Sequence, residues 1–131
     1  MKLPKQHKGM TLIEVLVSLL IFSFGILSLV ALQARAVQFS VSAEDTNRAS
    51  LFANEIAAAM WNAQTTNLPA ATIEAWRLRI QDTVKGGLPN GDGEVTLNAG
   101  IATVTVTWRP FSGPKVPVDN RFVTQVLIPT P

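Results

Sequence analysis

MTLIEVLVSLLIFSFGILSLVALQA, Met10 to Ala34, contains one charged residue, Glu14, and none after it. At ~1.5 Å of rise per helical residue, the roughly twenty residues from Val15 to Ala34 reach ~30 Å, the hydrocarbon thickness of a bilayer. Lys2, Lys5, His7 and Lys8 stand in front of the run, followed by Gly9. The stretch reads as a membrane segment with a basic leader and a lone acid at its head. A carboxylate inside a membrane helix costs about 2.5–3.5 kcal/mol at the centre on insertion scales, and less near an end. Such a residue calls for a partner.

Three readings of the stretch are open on the residues alone. A secretory signal peptide is one, because Ala34-Arg35-Ala36 has the small-x-small form of a signal-peptidase site. The apolar run is longer than the ~7–15 residues usual for such a peptide, and it carries an acid. A plain single-span anchor is the second, with Glu14 hydrated near the interface. The third treats Lys8-Gly9-Met10-Thr11-Leu12-Ile13-Glu14 as one unit.

That unit, with the apolar residues after it, resembles the class III leader junction of the type IV prepilins. The resemblance implies cleavage by a prepilin peptidase between Gly9 and Met10 and N-methylation of the new terminus at Met10. It assigns recognition to Lys8, Thr11, Leu12 and Ile13, and assembly and register to Glu14. Most of the family has Phe where this chain has Met10, a departure that leaves cleavage in place as the expectation. Two physical arguments run alongside. Glycine before a scissile bond offers no side chain to obstruct a protease cleft. Cleavage there also creates an ammonium group at Met10, on the same or a neighbouring chain, to pair with Glu14. A buried ion pair adds little net stability but can set register.

Of 11 Lys and Arg residues, Lys2, Lys5 and Lys8 precede the junction, so eight remain against nine acids and the mature chain carries a net charge of −1. A dispersed charge near zero argues against nonspecific nucleic-acid binding, and no nucleic-acid partner is expected. Lysines on one side of the span place the N-terminus in the cytoplasm and the rest outside. The 131 residues contain no Cys, and the single His is His7, within the leader. A mature chain without either residue type excludes Cys/His nucleophiles, Ser-His-Asp triads and ordinary zinc sites. No catalytic residue, metal or cofactor is expected. The remaining acids show no spacing that suggests a catalytic pair, which disfavours a membrane-anchored enzyme.

From Met10 to about Trp61 there is no proline, which predicts one continuous helix of ~75 Å. Ala49, Phe52, Ala53, Ile56 and Met60 form an apolar stripe at helical spacing, with Glu44 and Arg48 paired on the wetter side. Gly25 interrupts the apolar half, reading either as a helix–helix contact or as a point of bending. Thr72 is the expected N-cap of a short helix with Glu74 in its first turn. Ile73, Trp76, Ile80 and Val84 would share its buried face, and Gly86-Gly87 and Pro89 would stop it. Asn90-Gly91-Asp92-Gly93-Glu94 reads as a turn into a strand rather than a calcium loop, because it lacks the distal glutamate of an EF-hand. Strands follow at Glu94–Asn98 and Ile101–Arg109, joined by Ala99-Gly100. In the second, Ala102, Val104, Val106 and Trp108 alternate with Thr103, Thr105, Thr107 and Arg109, which predicts one buried face. A loop over Pro110 to Asn120 leads to a last strand, Arg121 to Ile128, closed by Pro129-Thr130-Pro131.

The expected fold class is therefore α+β: a long N-terminal helix, half membrane and half amphipathic, with a short helix and a small antiparallel sheet. This order resembles the pilin head. ANEIAAAMW, the Trp76 to Leu88-Pro89-Asn90-Gly91 segment and VTVTW ending at Trp108 resemble the PilV kind of minor pilin. The implied organisation is a leader at 1–9, a membrane and assembly segment at 10–34, and a periplasmic head at 35–131. The implied location is the inner membrane, single-pass, and then the pilus. The implied partners are prepilin peptidase, other minor pilins, the major pilin, the inner-membrane assembly platform and the lipid bilayer. A small minor pseudopilin of type II secretion is the alternative. A DNA-binding pilin for uptake is disfavoured by charge.

Overall fold

The structure, a computed structural model, describes residues 11–110 and 119–129. The leader, the Gly9–Met10 junction and most of the loop expected after Pro110 fall outside the described residues. In chain order the elements are α1 (Leu12–Ala63), α2 (Ala70–Gln81), a 3₁₀ turn (Thr83–Lys85), β1 (Asp92–Asn98), β2 (Ile101–Trp108) and β3 (Asn120–Leu127). This is the α+β class that the hydrophobic patterning implied, in the pilin-like arrangement that the resemblance implied. The chain divides into two compact units, one ending at Phe39 and the other beginning at Ser40.

In the first unit α1 is exposed all round. Leu16, Leu20, Phe24 and Leu27 lie between 57% and 65% exposed, and none of the most apolar stretch of the helix is buried. Ser23 and Ser28 donate their hydroxyls to the carbonyls of Leu19 and Phe24, at 2.7 and 2.9 Å. Hydroxyls satisfied within the helix suit a segment with no water around it. A Cβ added at Gly25 would meet nothing, so this chain alone places no contact there.

In the second unit, α1 from Ser40 onward, α2 and the sheet share one core. Ala49, Ala53, Ile56 and Met60 bury the stripe read from spacing, while Phe52 is half-buried. The sheet is antiparallel in the order β1-β2-β3. Its register sets Val95 beside Val104 and Val104 beside Thr124. β2, the central strand, buries Ala102, Val104, Val106 and Trp108 and leaves its threonines half-exposed. The strict alternation on β2 thus translates directly into two faces. β1 and β2 are joined by Ala99-Gly100, both at positive φ (50° and 82°), the two-residue turn whose twist suits a hairpin.

Five expectations about α2 and β1 require correction. The helix starts at Ala70 with Pro69 as the N-cap, not Thr72. The Pro69 carbonyl accepts from the backbone N–H groups of Thr72 (3.0 Å) and Ile73 (3.3 Å), so the fixed φ of proline starts the helix without a side-chain cap. Glu74 consequently falls beyond the first turn and pairs with Arg77 instead. Val84 is 93% exposed, because α2 ends at Gln81 and the helical period ends with it. Gly86-Gly87 do not stop the helix but fold the chain back beneath it. Leu88 donates to the Ile80 carbonyl at 2.7 Å, and a Cβ on Gly87 would lie 2.5 Å from that same oxygen. Finally, β1 begins at Asp92, two residues into the stretch read as a turn.

Candidate functional site

Of the residues singled out at the leader junction, Lys8, Gly9 and Met10 lie outside the described residues. Thr11 precedes α1 and starts it: its carbonyl accepts from the N–H groups of Glu14 at 2.9 Å and Val15 at 3.3 Å. Leu12 and Ile13 open the helix, 83% and 66% exposed. Glu14 is exposed and sits in the first turn, where the unsatisfied N–H groups of a helix favour a negative charge. The acid is thus carried by rigid helix one turn from the proposed terminus, and no group of the described chain covers it. Its chemistry is that of a single carboxylate presented at the helix head, suited to meeting a cation from elsewhere.

The head has polar contacts of its own, which the sequence did not reveal. Trp76 is fully buried between α1 and β1, and its indole Nε1 donates to the Phe52 carbonyl at 2.9 Å. Its ring lies against Gly93, where an added Cβ would come within 2.5 Å of it. Arg77 donates to Asp92 through Nε at 3.0 Å and Nη2 at 3.3 Å, and to Glu74 at 3.2 Å. The Arg77 hydrogen bond holds the Asp92 carboxyl below the usual range, and that bond in turn raises Arg77. An open cleft runs along Ile73, Arg77, Asp92, Gly93, Glu94 and Val95. Two carboxylates already neutralise the guanidinium in it, so it offers no free cation to an anionic ligand. Among the described residues no three potential metal-ligating side chains come together.

Asp45, a buried carboxylate, was not singled out from the sequence. It is 6% exposed, in line with the apolar stripe of α1. Burial raises its carboxyl above the ordinary value, partly offset by Arg48, while Glu44 adds to the rise. Its position four residues before Ala49 was the available signal, since i and i+4 share a helix face.

Residues 4–30 match the family model described as the prokaryotic N-terminal methylation motif. No curated protein and no solved structure matches the chain. The matched segment includes the Gly9–Met10 junction, Glu14 and most of the apolar run. A leader of this class implies processing by prepilin peptidase and assembly with other pilins. Together with the apolar helix, it fits the membrane anchoring of a family whose members are structural rather than catalytic. The motif supports placing this chain with the type IV pilins and pseudopilins.

Proposed function

We propose that this chain is a minor type IV pilin. It is cut between Gly9 and Met10 and N-methylated at Met10, with Lys8, Thr11, Leu12 and Ile13 read by the peptidase. Residues 10–34 hold it in the inner membrane, with 35–131 as a periplasmic head, until it joins or initiates a filament. Glu14 then pairs with the amine of a neighbouring subunit and sets the stagger between helices. The observation that carries this reading is the methylation motif running in register into an exposed apolar helix headed by one acid. The α+β head and the segments resembling PilV support the finer assignment.

The experiment is an intact-mass measurement on membrane-extracted protein. The expected species lacks residues 1–9 and carries one added methyl group. A chain beginning at Val37 would instead identify an ordinary signal peptide and end the pilin reading. Pseudopilins share the leader, so deletion separates the two systems. Loss of surface pili with secretion intact is expected, and loss of secretion with pili intact would reassign the chain to a type II secretion system.

A further inference from the structure

Arg35 ends the charge-free run, but the exposed apolar surface of α1 continues past it. Val37 is 63% exposed and Phe39 is 74% exposed, and no further charge occurs until Glu44. Two positions along an α-helix turn through about 200°, so these side chains point to nearly opposite sides. A partner packed against one side would leave the other in water. A bilayer interface surrounds a helix on every side.

We propose that Arg35, Val37 and Phe39 form an interfacial collar. The Arg35 guanidinium sits on lipid phosphates, and Val37 and Phe39 lie in the headgroup layer at the C-terminal end of the span. The proposal rests on the membrane-anchoring reading. A bilayer of ~40–45 Å with a ~30 Å core leaves about 5–8 Å of polar layer on each side. Counted from Ala34 at 1.5 Å per residue, Val37 rises about 4.5 Å, within this layer, and Phe39 about 7.5 Å, at its outer edge. The long stem of arginine lets its charge reach the phosphates while its methylenes stay against apolar surface. Its planar fork also matches phosphate oxygens in pairs. Aromatic and aliphatic side chains of interfacial helices occupy the same depth. The lipid contact thus extends to Phe39, where the first compact unit also ends.

The chain has no native cysteine, so single-cysteine variants of the full chain can carry a nitroxide label without background. The probe is a vesicle of phosphatidylethanolamine and phosphatidylglycerol. Phe39→Cys is compared with Leu27→Cys as the deep reference and Val84→Cys as the aqueous one. The Leu27 label should meet oxygen but not a water-soluble nickel chelate, and the Val84 label the reverse. The Phe39 label should fall between them, and adding Arg35→Glu should raise its nickel exposure several-fold. A Phe39 label as open to nickel as Val84 overturns the collar, and so does one closed to both reagents, which marks a protein cover. A Leu27 label open to nickel removes the span and the collar together. A closed Leu27 with an open Phe39 removes the collar alone.

Discussion

Up to Phe39, α1 keeps its large apolar side chains on the surface; from Ser40 the same helix hides Ala49, Ala53, Ile56 and Met60 beneath a sheet. No proline or break in hydrogen bonding separates the two stretches. What changes is the distribution of polarity around the helix. The first stretch is apolar on every side, as a helix in lipid must be, whereas the second confines its apolar residues to a stripe. The backbone is indifferent to this difference, and the surroundings are not. One helix can therefore serve two solvents, and substitutions in each stretch should fail in different ways.

The largest expected effect lies before the helix. Gly9→Leu should leave the precursor entirely uncut, read as retention of the full mass, while the head folds normally. A mature mass from this variant would show that the peptidase does not require glycine there. Next is Glu14→Val, which removes the cost of an acid in the membrane while leaving the junction intact. Processing and membrane retention should be normal and incorporation into sheared filaments poor, measured against the processed membrane pool. Wild-type incorporation would make Glu14 a tolerated interfacial residue; failed cleavage would move it to peptidase recognition.

In the head the effects should be on stability. A fragment starting at Gln33 should be soluble and folded without detergent, and in it Trp108→Ala should cost ~3–5 kcal/mol, as for other buried aromatics. An unchanged denaturation midpoint would remove Trp108 from the core. The two buried tryptophans should also differ from each other. Among the described residues Trp108 Nε1 has no hydrogen-bond partner, whereas Trp76 Nε1 is bonded to Phe52. Trp76→Phe should therefore be the more damaging of the two, by about 0.5–1.5 kcal/mol, since it gives up a hydrogen bond that Trp108→Phe does not.

The smallest effect concerns Asp45. Its carboxyl is raised in the folded state, so ionisation there opposes folding at pH values above the folded value. That cost disappears as pH falls through the raised value towards the ordinary carboxylate range. Asp45→Asn should accordingly raise the melting temperature at neutral pH, with the gain shrinking in acid. A variant less stable than wild type at neutral pH would show that the carboxylate is held by a compensating contact. Asp92 has the opposite sign: lowered by Arg77, it stabilises above the ordinary carboxylate range, and that contribution is lost as pH falls through its depressed value.

The sequence by itself determined the long helix, its apolar stripe, the two faces of β2 and the leader motif. Each is a periodic or contiguous pattern, and a period of 3.6 or 2 names its element without reference to any other part of the chain. The strand ends were legible to within two residues. Only the tertiary structure decided how the short elements begin and end. Pro69 displaced Thr72 as the start of α2, and the fold-back through Gly87 detached Val84 from a face it shared by spacing alone. Asp92 and Gly93 read locally as turn residues. In the fold Gly93 is a strand position left without a side chain because the Trp76 ring occupies that space, and Asp92 is held by an arginine 15 residues away. Asp45 likewise is buried only because the head packs against that face of α1. Local patterning determines what one element prefers; burial and close approach arise between elements, and neither is written in the spacing of a single one.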